Sequence, residues 1–569
     1  MNKWGNRGMA MVLAAVMGLG AAGCGSAQES GGTTQESQTE AEGSFAVTVN
    51  ETGYPITNEE ITIEVSGKMP SGLEDWTNLA VIDEYAERLG IRLNCNFYAT
   101  DWNTQLTLMV AGDEVPDLIA NGEMNISDLN TWGEEGYFLD LSQYLDVMPN
   151  LKAYFEKYPE LEAYCTTSDG HIYGLPKLKT DMTDRLTRTF VNRVWLDNLG
   201  LEAPTSIEEL YETLVVFKEQ DANGNGDPTD EIPLLFTGST NAGYSAIERT
   251  LLDAFGIYTS DINYILQADE SGTVYLANTG ESYQEYLAFL AKLYEEGLME
   301  QEAFTLTDNE IMQKEQGDVY GVFGTGSAPF VLANQDISYD ANWMALSGLS
   351  SSVNQDRYAG IASPVSSLIL TAVGADTEYP EAMARFLDYF YTEEGMLSAM
   401  KGYEGVTFDY VTDELIEIDV AEMRAPEGYA SGEEYRFKGA VINEGLNVLE
   451  SNADREALFE IDLDVLESKE VVEKYGWAAL VADAYRQDGV TGVSVYPVVA
   501  YTSEESDQRG TLYTDINTYL MQAKAQFITG EKDVEADWDA YVTTLEQMGL
   551  SSLLEIEQEA YNRYAEIMK

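Results

Sequence analysis

The chain changes from a strand pattern to a helix pattern soon after residue 60. In residues 61–65 (ITIEV) every second side chain is apolar, which is the period of a strand with one buried face. Residues 75–89 then carry apolar side chains at helical spacing, and Gly90 follows as a helix stop. This stretch therefore predicts a strand followed by a helix.

The same succession of patterns repeats directly afterwards. Residues 91–97 alternate again, residues 102–111 place apolar side chains on one helical face, and residues 118–120 form a short apolar run. This order of strands and helices predicts an α/β fold with a parallel sheet covered by helices. Ligands bind beyond the carboxyl ends of such strands, which singles out the loops that hold Lys68, Trp102 and Asn121.

The first 25 residues have the pattern of an export signal. Lys3 and Arg7 precede an apolar run at 9–20, and small residues at 21–23 precede Cys24. The apolar run is too short to cross a membrane as a helix. The site is similar to a bacterial lipobox, which predicts a lipoprotein signal peptide at 1–23 and acylation of Cys24. An ordinary secretory signal with an incidental cysteine is the alternative.

Residues 26–44 consist mainly of Ser, Gly, Gln, Glu and Thr, a composition that cannot bury enough surface to fold. We expect a disordered tether over 24–55. The remaining chain is then extracytoplasmic and bound to the cell membrane only through its lipid.

Length and charge narrow the classes of function. A chain of 569 residues is too long for one typical core, so two lobes are expected. The 31 Lys and Arg against 99 Asp and Glu give a formal net charge of −68. Such a charge repels nucleic acids and anionic lipid surfaces, and both are excluded as partners.

Cysteine and histidine are too scarce for most metal and disulfide frameworks. Besides Cys24 the chain has only Cys95 and Cys165, and a single disulfide between them remains open. Cys95 alternates with apolar neighbours, which favours a buried thiol. His171 is the only histidine, which excludes a zinc site built from several histidines, and its position in a glycine-rich turn favours a structural role.

Residues 221–231 (DANGNGDPTDE) have the composition of a calcium loop. Oxygen-bearing side chains occupy alternate positions, and Gly226 permits a sharp turn. The twelfth position is Ile232, so a closing carboxylate must come from a residue just before it. The predicted ligands are Asp221, Asn223, Asn225, Asp230 and Glu231 through side chains and Asp227 through its backbone carbonyl. A polar turn without metal is the alternative.

Several motifs in a fixed order resemble the extracellular solute-binding proteins of ABC importers. They include 102–120 (WNTQLTLMVAGDEVPDLIA), 136–141 (GYFLDL), 170–176 (GHIYGLP), 192–200 (NRVWLDNLG), 379–391 (YPEAMARFLDYFY) and 402–406 (GYEGV). The likeness is to the family 1 type, a sugar-binding group with lipoprotein and alginate-binding members. The alginate-binding relatives have a similar calcium loop that also closes early.

The resemblance implies a two-lobed periplasmic-binding-protein-like fold with hinge crossings between the lobes. The expected N-terminal lobe comprises 56–178 and 366–410, and the C-terminal lobe comprises 179–365 and 411–569. Crossings are expected near 177–188, just before 366 and near 407–412. Residues 423–475 match no recognised pattern.

Sugars present apolar ring faces edged by hydroxyls, so their sites need aromatic platforms and planar hydrogen-bonding groups. The predicted ligand-binding residues are Trp76, Trp102, Asn121, Arg185, Trp343, Tyr403 and Glu404, with Trp132 as a further aromatic candidate. Trp195 and Trp538 lie in amphipathic runs and are expected in the core.

The expected function is capture of a carbohydrate, with an oligosaccharide favoured, by a monomeric lipoprotein that delivers it to an ABC permease. No catalytic residues are expected, because no acid motif stands out. Binding of peptides or another nutrient is the main alternative, and a secreted glycoside hydrolase is less favoured.

Overall fold

The computed structural model describes residues 47–569 except 71, 74, 75, 77, 168, 169, 239–245, 316, 317, 325–341, 347, 443, 488 and 489. The predicted signal peptide, Cys24 and the first part of the tether lie outside these residues. Within the described chain, no helix combines the length and apolarity needed to span a membrane.

The strands lie in the following order along the chain. They are β1 Ile61–Lys68, β2 Ile91–Tyr98, β3 Leu118–Ile119, β4 Leu175–Lys179, β5 Thr189–Asn192, β6 Ile232–Leu234, β7 Leu266–Ala268, β8 Val274–Leu276, β9 Tyr320–Gly324, β10 Trp343–Leu346, β11 Tyr358–Ile361, β12 Val365–Val373, β13 Phe408–Asp413, β14 Ile418–Met423, β15 Leu449–Glu450 and β16 Thr491–Ser494.

Helices separate most of these strands. They are α1 Ala80–Leu89, α2 Trp102–Gly112, α3 Ile126–Glu134, α4 Pro149–Lys157, α5 Pro159–Cys165, α6 Arg193–Leu199, α7 Ile207–Glu219, α8 Ala246–Ala254, α9 Glu281–Glu295, α10 Asp308–Glu315, α11 Pro380–Tyr389, α12 Glu393–Met400, α13 Gly432–Tyr435, α14 Ala453–Ala457, α15 Leu463–Leu466, α16 Lys469–Tyr475, α17 Trp477–Gln487, α18 Ser503–Ile528, α19 Trp538–Gln547 and α20 Leu550–Ile567. Short 3-10 helices cover Leu141–Val147, Met182–Asp184 and Ala277–Thr279, and a π-helical turn covers Arg436–Ala440.

The first sheet has the strand order β15-β4-β12-β3-β1-β2. β1 runs parallel to β2 and β3, β15 runs parallel to β4, and β12 runs antiparallel to β3 and β4. All strands except β12 therefore end at one edge of the sheet, which we call the carboxyl edge. The predicted strand–helix–strand–helix–strand order of residues 61–120 is confirmed, and α1 ends at Gly90, whose φ is 75°.

The second sheet has the order β10-β5-β9-β6 and is buried on both faces. Val191 pairs with Val322 and Phe190 with Phe323, so neighbouring residues of β5 and β9 point to opposite faces. The two valines lie in a core formed with α6–α9 and the long helices α18–α20. The two phenylalanines lie in a smaller core that contains Trp343 and residues 458–482.

The first sheet has a separate core, formed by residues 56–178, 365–403 and 440–449. The chain leaves this core after Leu178 and returns to it at Val365. The hairpin β13–β14 reaches the smaller core at Ile416, after which residues 440–449 pack in the first core again. We expected all of 411–569 in the C-terminal lobe. Residues 440–449 differ from this expectation and pack with the first sheet, because β15 pairs in parallel with β4.

Residues 47–55 also differ from the expected tether. Val47 and Val49 pack against the first core, and Val49 forms a bridge with Thr57. The Arg385 guanidinium donates hydrogen bonds to the carbonyl oxygens of Asn50 and, at 2.7 Å, Gly53. These contacts fix a segment whose composition alone gave no sign of order.

Cys95 and Cys165 are both free thiols. Burial raises the pKa of Cys95 to about 12 and that of Cys165 still further. Both thiols are therefore protonated at neutral pH, and the structure has two separate free thiols, with Cys95 partly buried and Cys165 buried.

Candidate functional site

A cleft of about 920 Å³ lies at the carboxyl edge of the first sheet. One wall comes from the first core and consists of residues 125–128, Tyr164 and Ser367. The opposite wall consists of residues from 259–266 and from 496–517, which belong to or adjoin the second core. The cleft lies at the edge of the sheet where α/β proteins bind ligands, but Lys68, Trp102 and Asn121, whose loops the sequence singled out, do not line it.

The first wall is set by the strand ends that precede it. The Met124 amide donates to the Ile369 carbonyl at 3.0 Å, which fixes the entry to α3 beside β12. The Asn125 side chain caps α3 by accepting a hydrogen bond from the Ser127 amide at 3.0 Å. The Tyr164 hydroxyl donates to the Ser367 carbonyl at 2.6 Å, which holds that ring at the edge of the sheet.

A buried lysine holds the loop 259–264 on the opposite wall. The Lys524 ammonium group donates to the Ile262 carbonyl at 3.2 Å and to the Asn263 side-chain oxygen at 2.8 Å. Its counter-ion is Glu248, at 2.7 Å, and both side chains are almost completely buried. The loop is therefore tied to α8 and α18 from behind, while its front faces the cleft.

Three tyrosines of the cleft surround one arginine. The Arg509 guanidinium carbon lies 4.2 Å from the ring centroid of Tyr513, 4.7 Å from that of Tyr501 and 5.9 Å from that of Tyr264. The rings of Tyr264 and Tyr513 meet edge to face, with centroids 5.0 Å apart. We call Tyr264, Tyr501, Tyr513 and Arg509 the tyrosine frame.

Glu557 anchors this frame from the core of the second lobe. Its fully buried carboxylate accepts hydrogen bonds from Arg509 Nε at 2.8 Å, from the Tyr264 hydroxyl at 3.3 Å and from the Tyr501 hydroxyl. Burial, followed by the charge of Glu557, raises the pKa of Tyr264 and Tyr501 far above the usual value. Both hydroxyls therefore remain protonated donors.

The charged lining of the cleft is mostly acidic. Asp128, Asp261 and Asp507 line it, and Arg509 is the only basic residue among the described lining residues. Partial burial, and then the charge of Asp507 on α18, raise the pKa of Asp128 on α3. Asp128 and Asp507 thus place one carboxylate on each wall of the same cleft.

This arrangement suits a ligand that is rich in hydroxyls. The partly exposed rings of Tyr501 and Tyr513 provide apolar faces, and the Asp, Asn and Ser side chains around them provide hydrogen-bonding groups. The sequence analysis did not identify these tyrosines. No local pattern distinguishes them, because Tyr264 and Glu557 are almost 300 residues apart and meet only in the folded chain.

The predicted tryptophan platforms lie elsewhere. Trp102 is buried, and its indole nitrogen donates to the Gly122 carbonyl at 2.5 Å. Trp343 is completely buried with its ring centroid 4.5 Å from that of Phe323. Both predictions were wrong, because neither ring has a face open to a ligand. Trp76 is half-buried and donates to the Cys95 carbonyl at 2.5 Å, and Trp132 is half-buried against Phe138.

The other predicted ligand-binding residues also lie outside the cleft lining. Asn121 is buried and joins two strand ends by donating to the Lys68 carbonyl at 3.1 Å. Arg185 is half-buried and donates to the Ala362 carbonyl at 2.9 Å, which ties the two chain segments that connect the lobes.

The GYEGV turn was also placed incorrectly in the ligand site. Tyr403 is buried in the first core, with its hydroxyl 2.9 Å from that of Tyr389, so it cannot serve as a platform in the cleft. Glu404 is exposed beside it, on a separate depression lined by Arg88 and Tyr410.

The acidic loop 221–231 is folded around its own backbone. Asp221 Oδ2 accepts from the Gly226 amide at 2.9 Å, and Glu231 Oε1 accepts from the Ala222 amide at 2.9 Å. Asn225 donates to Asp230 at 2.7 Å and accepts from the Asp227 amide at 2.7 Å, and the Asn223 side chain accepts from the Asn225 amide at 3.0 Å. Gly224 and Gly226 have φ values of 73° and 93°, which permit the tight winding.

Two oxygens of this loop have no partner. Asp221 Oδ1 and Glu231 Oε2 are buried without a hydrogen bond, and burial raises the pKa of Glu231. Uncompensated buried carboxylate oxygens are costly. In the described part of the chain, no three acidic, histidine or cysteine side chains are grouped tightly enough to hold a metal without help from other ligands.

His171 has the structural role that its turn suggested. Its Nδ1 lies 2.7 Å from Asp140 Oδ2, and the same carboxylate caps the 3-10 helix that begins at Leu141. Burial opposes ionisation of Asp140, but hydrogen bonds from Ser142, Gln143 and His171 outweigh it and lower the pKa of Asp140 to about 2.

Comparisons with known proteins agree with this architecture. No protein-family model matches the chain. The fructooligosaccharide ABC transporter substrate-binding protein FusA of Streptococcus pneumoniae is 26% identical over 522 residues, which is 90% of this chain and 92% of FusA. The structure of a FusA EF-hand mutant with fructo-nystose superposes with a TM-score of 0.65 at 23% identity, and covers 89% of this chain and 99% of that one.

Two further solved structures share the fold. An extracellular solute-binding protein from Bifidobacterium longum subsp. infantis has a TM-score of 0.71 at 22% identity, with 89% of this chain and 98% of that chain covered. The alginate-binding protein AlgQ2, solved without calcium ion, has a TM-score of 0.61 at 20% identity, with 90% and 100% covered. By sequence and by its two-lobed α/β fold, the chain is a homologue of the substrate-binding proteins of ABC transporters.

Proposed function

We propose that this protein is the extracellular substrate-binding component of an ABC importer, and that it captures an oligosaccharide in the cleft at the carboxyl edge. The observation that carries the proposal is the tyrosine frame, in which the partly exposed rings of Tyr501 and Tyr513 line a cleft of about 920 Å³ between two cores. That volume accommodates several sugar rings. The kinship with FusA, whose name states fructooligosaccharide, supports the same class of ligand.

Capture requires movement of the two lobes but no covalent chemistry. We assign residues 56–178 and 366–410 to one lobe and 179–365 and 411–569 to the other, with 440–450 moved to the first lobe. Closure buries the ligand between the walls, and the ABC permease binds the closed form. The hydroxyls of Thr131 on α3 and Ser503 on α18 lie 2.6 Å apart, at a point where the lobes already touch.

We also propose that the acidic loop holds a structural calcium ion. The fit is supported by Asp221 Oδ1 and Glu231 Oε2, two buried oxygens without partners in a loop whose other side chains also carry oxygen. Asp221, Asn223, Asn225, Asp230 and Glu231 would supply side-chain ligands and Asp227 its carbonyl. Calcium prefers such oxygen ligands, and an EF-hand is named in one FusA structure.

The N-terminal residues support a proposal about location. We propose that the chain is exported, acylated at Cys24 and retained at the cell membrane as a monomer, with its folded part outside the cytoplasm. The small residues before Cys24 and the tether composition support this arrangement.

Calorimetry of the purified protein against neutral oligosaccharides and a matched panel of peptides tests the proposal. Saturable binding of an oligosaccharide, compaction of the protein in X-ray scattering and no release of sugar fragments are expected. Binding of peptides alone would establish the alternative ligand class, and release of fragments would establish a hydrolase.

A further inference from the structure

The cleft carries three carboxylates and one guanidinium, and the three acids have different roles. The Asp261 carboxylate accepts hydrogen bonds from the amides of Asn263 at 2.8 Å and Tyr264 at 3.2 Å, so it shapes its own loop. Asp128 and Asp507 are exposed on α3 and α18, one on each wall. These two carboxylates are the charges that a bound ligand meets from both sides.

The single guanidinium is already neutralised. Arg509 Nε donates to the buried Glu557 carboxylate, and the planar group lies between the rings of Tyr501 and Tyr513. Its geometry and its charge are used to hold the tyrosine frame. Taken with Glu557, Arg509 therefore contributes no net positive charge to the cleft.

Within 47–569, the residues outside the described structure include no Lys or Arg. Residues 71–77, 239–245 and 325–341 follow strands β1, β6 and β9, and their sequences contain no Lys or Arg. A carboxylate on the ligand would therefore enter a cleft with two free negative charges and no available cation. Like charges brought together during binding reduce affinity strongly, most of all where water is excluded.

We propose that the cleft binds uncharged oligosaccharides and rejects those that carry a carboxylate, with Asp128 and Asp507 as the residues that select against charge. The inference rests on the proposed function and adds the chemical class of its ligand. A neutral sugar hydroxyl donates a hydrogen bond to either aspartate, whereas an ionised carboxylate in the same position has no proton to donate and is repelled by both.

The test uses matched ligands. A neutral oligosaccharide that binds is compared by calorimetry at pH 7 with the same oligosaccharide after oxidation of its primary alcohols to carboxylates. We expect the neutral form to bind at least about tenfold more tightly, and the difference to shrink in 0.5 M salt as the repulsion is screened.

The double variant Asp128→Asn/Asp507→Asn should reduce this discrimination by about fivefold or more. Discrimination is the ratio of the two affinities measured in the same variant, so a loss of hydrogen bonds common to both ligands does not change it. The control Asp113→Asn/Asp539→Asn removes the same charge from exposed positions outside the cleft lining and should keep the discrimination of the unmodified protein.

Three outcomes would overturn the inference: equal binding of both ligands, tighter binding of the oxidised ligand, or unchanged discrimination in the double variant. Failure of every saccharide, neutral or oxidised, would instead overturn the proposed function and this inference with it. Binding of the neutral ligand by each variant shows that the variant is folded.

Discussion

The acidic loop and the cleft contain the same kinds of oxygen atoms in opposite arrangements. In the loop, eleven consecutive residues bring carboxylate and amide oxygens together, and two carboxylate oxygens are buried without partners. In the cleft, the carboxylates of Asp128 and Asp507 are exposed on different walls. The hydroxyls of Tyr264 and Tyr501 are already bonded to Glu557.

The difference teaches what each region can bind. Oxygen atoms that point toward one place and lack hydrogen-bond donors are suited to a small hard cation, because one ion compensates the negative charge of these atoms together. Spread oxygens beside apolar ring faces are suited to a large ligand that both donates and accepts hydrogen bonds. We propose that the same acidic composition serves a metal in one region and a sugar in the other.

The largest effect is expected from removing the charge that anchors the tyrosine frame. Glu557→Gln leaves the largely buried Arg509 guanidinium without its counter-ion. We expect the free energy of unfolding, measured by urea denaturation, to fall by about 3 kcal/mol. Oligosaccharide affinity should fall as well, because the rings are no longer held in position.

Glu559→Gln is the matched control for this variant. Glu559 lies on the same helix α20 and is exposed, so its replacement should change the free energy of unfolding by less than about 0.5 kcal/mol. If the two variants unfold alike, Glu557 does not anchor the frame and the cleft is not held in the way described here.

The second effect concerns the loop. At a calcium concentration of about one hundred times the dissociation constant, the ion should stabilise the protein by about 2.7 kcal/mol. Thermal unfolding in calcium and in EGTA measures this gain. Asp221→Asn should remove most of it, because the substitution removes a carboxylate from the ligand set.

Glu219→Gln provides the control, because Glu219 is exposed at the end of α7 and lies outside the ligand set. It should keep the full calcium response. Equal unfolding temperatures in calcium and EGTA for the unmodified protein would show that the loop is a polar turn without metal.

The sequence revealed the loop and the first sheet but not the cleft, for a physical reason. Alternation in 61–65 and the stop at Gly90 are local signals, and the acidic loop lies within the consecutive residues 221–231. The tyrosine frame depends on α20 packing against residues 264 and 509, and no local signal distinguishes three of 36 tyrosines.

The tryptophans were misplaced for a related reason. Trp102 and Trp343 follow loop-like sequence, but a large indole is stabilised most by complete burial, and both side chains are buried. Trp195 was correctly expected in the core, where its amphipathic helix provided a periodic signal. Residues 440–449 were assigned to the wrong lobe. Their place in the first lobe depends on the pairing of β15 with β4, which joins residues about 270 positions apart and leaves no local signal in the sequence.

The third effect tests the ring faces of the cleft. Tyr513 contributes its ring to the frame and has no hydrogen bond to Glu557 among the contacts described above. Tyr513→Ala should weaken oligosaccharide binding by about fivefold to tenfold, or ~1 kcal/mol, through loss of stacking area. Calorimetry measures the change.

Tyr275→Ala is the corresponding control, because Tyr275 is exposed on the hairpin β7–β8 and does not line the cleft. It should leave the affinity unchanged. Equal affinities of the Tyr513 and Tyr275 variants would mean that the ligand does not stack on the frame.

The smallest effect concerns repulsion between the walls. Burial and the charge of Asp507 raise the pKa of Asp128 above its unfolded value of about 3.9. Ionised Asp128 therefore costs stability at pH values above that unfolded value, and the cost is removed as the pH falls through the folded pKa.

Asp128→Asn should be more stable than the unmodified protein at pH 7 by a few tenths of a kcal/mol, since solvent screens an exposed pair. The difference should vanish near pH 3 and in 0.5 M salt, as urea denaturation can measure. Asp539→Asn, which removes an exposed carboxylate from the first turn of α19 as Asp128→Asn does from α3, should show no such gain. A loss of stability in Asp128→Asn at pH 7 would mean that this carboxylate stabilises the cleft, in contrast to the repulsion inferred from its position opposite Asp507.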